Sequence, residues 1–332
     1  MQLGGEEASG LAGLRHNCVG GGKAKNGKLC WARFQNFGGK RVDQQIINLY
    51  DSFTHGEINR RAFIERLNKL AGSAAAGAAL LPLLQCDYSK AATVPENDPR
   101  LALDRVTYDS DKGPIKGYLA RPKGQTLRPA VIVIHQNRGL NPHIEDVARR
   151  MALEGFLTLA PDLLSVNGGT PPDDDQAREL HNRTDREAMI AAALAAVPHM
   201  QKHAESTGKV GATGFCFGGG VVNRMAAGSP DLLAAVPYYG AQVSADLVPN
   251  IRAVLMLHYA EHDENIDKGI PAFEAALKAN HKRYSIFIYP GTQHAFNDDT
   301  AGVRYNKEAA ELAWGRTLGL FREVLGNPPK AA

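Results

Sequence analysis

From about Leu101 onward the apolar positions fall into two alternating kinds of run. Unbroken apolar runs such as PAVIVIHQ (129–136), FLTLAPDLL and KVGATGFCF (209–217) read as strands buried on both faces. Between them lie segments with helical spacing: HIEDVARRMALEG (143–155), which stops at Gly155, then DREAMIAAALAAVPHMQ and the final KEAAELAWGRTLGLFREVL. LLAAVPYYG, RAVLMLHYAEHD and YSIFIYPGTQHAF supply three more strands, and DRVTYDS with PIKGYLARP opens the series as an antiparallel pair. Such alternation predicts an α/β domain over residues 93–332, a mostly parallel sheet with helices on both faces. Chemistry is then expected at the carboxyl ends of the strands.

The first ninety residues follow no such rhythm. Residues 1–41 are Gly-rich and basic with no apolar period, an unstructured or spuriously translated extension, with a true start near Val42. VDQQIINLYDSFTHGEINRR reads as helix. NRRAFIE and the Ala/Gly/Leu stretch after it resemble a twin-arginine export signal built on Arg60 and Arg61, with small residues near 90–92 for cleavage. The competing reading is an Ala-rich amphipathic helix with a chance arginine pair, which Glu65 favours. The apolar run Leu70–Leu84 is too short and small-sided for a permanent membrane span. The expectation is therefore a periplasmic or secreted protein that engages the export machinery, with a cytoplasmic one as the alternative. Cleavage would remove Cys18, Cys30 and Cys86 and leave Cys216 as the only thiol. The sequence LLPLLQC around Cys86 is a weak lipid-attachment pattern, with Gln85 a poor neighbour for it.

Composition narrows the function classes. A chain of 332 residues with 44% hydrophobic and 22% charged residues and a formal charge of +3 has the make-up of an ordinary globular protein. No dense Lys/Arg run points to nucleic acid. The four cysteines form no CxxC pair and no Cys/His metal spacing. No dinucleotide or phosphate-binding glycine loop is present, so neither a cofactor nor a metal is signalled.

The stretch GFCFG (214–218) is a Gly-x-nucleophile-x-Gly turn with cysteine at its centre. Its glycines suit a turn too tight for flanking side chains, and the amide of Phe217, at a helix start, is placed to hold an oxyanion. A buried structural cysteine is the alternative. Downstream, and in the chain order nucleophile, acid, base, come Asp263 in LHYAEHDENID and His294 in YPGTQHAF, both beyond strand ends. Glu261 and Asp267 compete with Asp263 for the acid role.

GFCFGG, YYG (238–240), APDLL (160–164), the Asp263 loop and PGTQHAF together resemble the dienelactone hydrolase family, from about Asp104 to Leu325. The resemblance implies an α/β-hydrolase fold, a Cys-Asp-His triad and hydrolysis of small esters or lactones. It implies a second oxyanion donor near Asn137, and it places Gln136, Arg138 and Tyr239 as candidate substrate contacts. Two departures stand out. Family members carry glutamate where Gln136 stands, and an arginine that binds the substrate carboxylate where Asp298 stands, whose charge is expected to repel such a group. Arg138, Arg183 and Arg186 are candidate replacement cations, with ordinary surface arginine the competing and favoured reading for Arg183 and Arg186. The implied partner is a small-molecule ester or lactone. The other functions considered are a thiol-based redox sensor, which leaves Asp263 and His294 unexplained, and a non-catalytic binding protein.

Overall fold

A computed structural model describes residues 42–88, 93–124 and 126–331. The eight strands are β1 (Leu101–Ser110), β2 (Gly113–Pro122), β3 (Arg128–Ile134), β4 (Leu157–Pro161), β5 (Ser206–Phe215), β6 (Leu232–Tyr238), β7 (Val254–His262) and β8 (Tyr284–Gln293). They form one sheet in the order β1-β2-β4-β3-β5-β6-β7-β8. Pairing is antiparallel from β1 to β2 and from β2 to β4, and parallel from β4 to β8 through β3, β5, β6 and β7. This is the mostly parallel sheet that the apolar runs predict, in the α/β-hydrolase arrangement that the resemblance implies. In β3, Ile132 and Ile134 enter one core while Val131 and Val133 enter the other, so the run shows no polar alternation.

Three helices of the N-terminal segment come first: α1 (Gln44–Thr54), α2 (Arg60–Ala71) and α3 (Ala74–Leu84). The domain then carries α4 (Pro142–Leu153), α5 (Asp174–Arg183), α6 (Arg186–Gln201), α7 (Phe217–Gly228), the single turn α8 (Glu264–Asp267), α9 (Ile270–Ala279) and α10 (Lys307–Leu325). Helices α6, α7 and α9 cover one face of the sheet through residues such as Ala193, Val222 and Leu277. Helices α4 and α10 cover the other through Val147, Met151 and Phe321. α4 ends as its sequence predicts, with Gly155 at φ 105°. α5 has no apolar period that would announce it; Asp173 caps it by accepting from the Gln176 amide.

The N-terminal helices have a core of their own. α1 turns Ile46, Ile47, Tyr50 and Phe53 inward, α2 adds Phe63 and Leu67, and Val303 from the loop before α10 closes the cluster. Burying each such side chain contributes roughly 2 kcal/mol. The arginine pair of the expected export signal forms the first turn of α2, where Arg60 bonds Asp175 of α5 at 2.6 Å. Among the described residues no single helix is long and apolar enough to cross a membrane; α2 and α3 reach that length only together and meet at 111°. The expectations for residues 1–41, with Cys18 and Cys30, and for cleavage near 90–92 lie outside the described residues. Cys86 is half-buried, 3.4 Å from an Arg304 amine.

Candidate active site

The centre of the site is the turn between β5 and α7. Cys216 has φ 57° and ψ −119°, a conformation costly for a side-chain-bearing residue. The chain accepts it because glycine stands two residues away on each side, at 214 and 218. A β-carbon on Gly214 would come within 2.5 Å of the Gly218 carbonyl oxygen, and one on Gly218 within 2.5 Å of the carbonyl oxygens of Ile134 and His135. The turn is held by the Cys216 amide donating to the Tyr238 carbonyl at 3.1 Å. Phe217 begins α7, so its N–H has no acceptor within the helix and remains free for an anion.

His294 lies just past the end of β8 and is almost wholly buried. Its Nδ1 meets Asp263 Oδ2, just past the end of β7, at 2.5 Å. A carboxylate there fixes the proton on Nδ1 and turns Nε2 to the site, where it has no hydrogen-bond partner among the described residues. Of the competing acids, Glu261 accepts instead from the Gly291 amide at 2.7 Å, and Asp267 from the Asp263 amide at 3.1 Å.

A second imidazole reaches the thiol. His55 follows the last residue of α1, and its Nε2 lies 3.3 Å from Cys216 Sγ. A ring nitrogen of His55, one of His294 and Cys216 Sγ lie within 4.8 Å of one another, and the two rings meet edge to face at 4.7 Å. Burial works to raise the Cys216 thiol pKa, yet the charges of His294 and His55, with the hydrogen bond from His55, hold it well below the ordinary range. Burial likewise opposes charge on His294, but Asp263 and the thiolate hold its pKa well above the ordinary histidine value. His55 is an exposed residue; partial desolvation acts to lower its pKa, but the Cys216 charge and hydrogen bond raise it on balance.

The remaining candidates separate into two groups. Tyr239, at φ 36°, sets its ring at a 58° tilt, 4.9 Å from that of His294, and lines a cavity of about 210 Å³ beside Cys216. Asn137 lines the same cavity, and its side-chain amide donates to the Thr54 carbonyl at 2.5 Å. Arg186 also lines it, with its guanidinium over the Phe217 ring and no ion pair among the described residues. Gln136 and Asp298 do not line it; they bind each other, Gln136 Nε2 donating to Asp298 Oδ2 at 3.1 Å. Asp298, 1% exposed, also accepts from the Thr300 amide and hydroxyl. The Asp298 oxygens are thus turned into the protein and bonded there rather than presented to this cavity. Arg138 is directed at Tyr50 and Tyr88 under the N-terminal helices, away from the larger cavity, and Arg183 does not line that cavity either.

His55 and Thr54 are the site residues that sequence reasoning did not single out. The signal available was the apolar spacing 46, 47, 50, 53 in α1, which marks a helix packed on a core.

Comparison with known proteins bears on this arrangement. The model of the dienelactone hydrolase family matches residues 115–325, and a second, the YqhI-like family, matches residues 39–72. A protein of Saccharolobus solfataricus named a candidate carboxymethylenebutenolidase is 32% identical over 257 residues, 66% of this chain and 98% of that protein. A hydrolase fragment of Escherichia coli, YghX, is 48% identical over 110 residues, 32% of this chain and 94% of the fragment. The crystal structure of a candidate dienelactone hydrolase from Klebsiella pneumoniae superposes with a TM-score of 0.60 at 28% identity, covering 67% of this chain and 99% of that one.

Proposed function

The chain belongs to the dienelactone hydrolase family, and we propose that it hydrolyses small esters or lactones through an acyl-cysteine formed at Cys216. The observation that carries this reading is a strained cysteine on a strand–helix turn beside an imidazole whose far nitrogen is bound to a carboxylate. The Cys216 thiolate attacks the substrate carbonyl carbon, and the carbonyl oxygen becomes an oxyanion held by the amides of Phe217 and Asn137. Collapse breaks the carbon–oxygen bond to the leaving group, which takes the Nε2 proton of His294. His294 then accepts a proton from water as that water attacks the thioester, releasing the acid and returning the thiol. Asp263 keeps the His294 ring oriented and stabilises its charge. With a lactone the leaving alkoxide stays attached, and the product is a single hydroxy acid.

The cavity also argues for part of the substrate. Arg186 faces it unpaired, which suits an acyl group bearing a carboxylate or another anion. Export is proposed on the Arg60–Arg61 motif alone. The N-terminal helices reach into the same site, so we propose that the working enzyme keeps residues 42–88 wherever it acts.

Turnover of p-nitrophenyl acetate by the full chain, beside Cys216→Ala and Cys216→Ser, tests the reading. A loss of at least about a hundredfold in the alanine variant is expected. Equal slow rates in all three would leave Cys216 without a catalytic role.

A further inference from the structure

Residues 54–57 bring the N-terminal segment into the site at several points. The Thr54 carbonyl accepts from Asn137, His55 meets Cys216, and the Glu57 carboxylate accepts from Asn265 at 2.8 Å. The seat is a built one. Arg178 lies over the Phe53 ring at 4.3 Å, Gln44 bonds Gln293 at 2.6 Å, and Arg304 spans Asp51 and the Tyr50 ring. None of these helices falls within the residues matched by the dienelactone hydrolase model.

The tautomer of His55 follows from its partners. Nδ1 lies 2.8 Å from the Asp51 carbonyl oxygen, which can only accept, so Nδ1 carries a hydrogen. Nε2, facing Sγ, is then a bare lone pair in the neutral ring, placed to accept the S–H proton. In the charged ring it is an N–H that donates to the thiolate. Either way a single proton is shared between Sγ and His55 Nε2. His294 Nε2 meanwhile makes no hydrogen bond among the described residues.

We propose that His55 is a second catalytic base of this enzyme, contributed by the N-terminal helices, which takes the Cys216 proton before substrate binds and leaves His294 to serve the leaving group and water. In that step the S–H bond breaks with its electron pair staying on sulfur, and an N–H bond forms at His55 Nε2; the proton that His294 Nε2 gives to the leaving group is a separate one, taken from solvent and returned by the attacking water, and nothing is oxidised or reduced. The proposal rests on Cys216 being the nucleophile. In other members, by the resemblance, a glutamate at the position of Gln136 attends the thiol; here Gln136 is bound to Asp298 and His55 takes the place beside sulfur.

Several charged or titratable groups surround this pair. Asp51, on α1 itself, faces His55 and is partnered by Arg304 from the loop before α10. His294 and, behind it, Asp263 stand across the thiol. His181 of α5, Arg186 of α6 and Arg224 of α7 also line the cavity, Arg224 being bound to Glu187. Among the described residues, His55 and His294 are the imidazoles close enough to the sulfur to exchange its proton.

The test is the pH dependence of Cys216 alkylation by iodoacetamide in full-length protein with a chelator present, for wild type, His55→Gln and His55→Ala. Losing one imidazolium beside the thiolate is expected to raise the midpoint by about one pH unit in both variants. A residue that merely packs would change the limiting rate and leave the midpoint in place, and an unmoved midpoint in both overturns the proposal. Should neither variant fold, imidazole NMR of the wild type and Cys216→Ala decides. The His55 midpoint is expected to fall when the thiolate is removed, and an unchanged midpoint overturns the assignment. Alkylation needs no ester, so a failure here is distinguishable from a failure of the hydrolase reading.

Discussion

Two histidines flank Cys216, and they are anchored in different ways. His294 lies past the end of β8 inside the domain, and its outer nitrogen is bound by a carboxylate. His55 lies at the end of a helix from the N-terminal segment, and its outer nitrogen is bound by a carbonyl. Both anchors fix a tautomer, but only the carboxylate supplies a negative charge to balance a positive ring. The difference assigns the work: His294 is built to be charged during the reaction, while His55 is built to hold the thiol's proton at rest.

The consequences of breaking each side differ in size. His294→Ala removes both the acid and the base of the cycle and should lower kcat/KM about a thousandfold, as read in steady-state kinetics. If the loss were no larger than that of His55→Ala, the division of roles between the two rings would be wrong. Arg186→Gln should raise KM about tenfold for an ester with an anionic acyl group and leave a neutral ester nearly unchanged. Equal effects on both esters would place Arg186 outside the binding of charge.

The smallest effect concerns support behind the site. Asp299 binds Arg150 and His143, and despite burial, which acts in the other direction, those partners hold its carboxyl at about 2. A lowered folded-state value means stability that is present above the ordinary aspartate value and lost as pH falls toward about 2. Asp299→Asn should therefore lower unfolding stability by about 2 kcal/mol near neutral pH, with the gap to wild type closing in acid. Denaturant melts at a series of pH values measure this, and a gap that is constant with pH would remove the charge from the explanation.

What could be read in the sequence followed from repetition and from backbone demand. Strands buried on both faces announce themselves as unbroken apolar runs, and the sheet they predict is the one observed. The turn at Cys216 is legible because a cramped backbone demands glycine at 214 and 218. Asp263 and His294 are legible as positions beyond strand ends, though only the folded chain separates Asp263 from Glu261 and Asp267. Gln136 and Asp298 were each readable as departures from a pattern, but not as partners, since they are far apart in the chain and meet only through the fold. His55 was hidden differently. A short helix followed by an arginine pair and an alanine-rich run has the composition of an address, and that reading drew attention from the buried positions Tyr50, Phe53, Phe63 and Leu67. No local pattern reveals that residue 55 meets residue 216.

The most direct test of the whole account is to quench a reaction with p-nitrophenyl acetate in acid and locate the acetyl group by peptide mass spectrometry. The account predicts one acetyl on Cys216, formed and lost at rates consistent with turnover. An acetyl group elsewhere, or none on Cys216 while turnover proceeds, would contradict it.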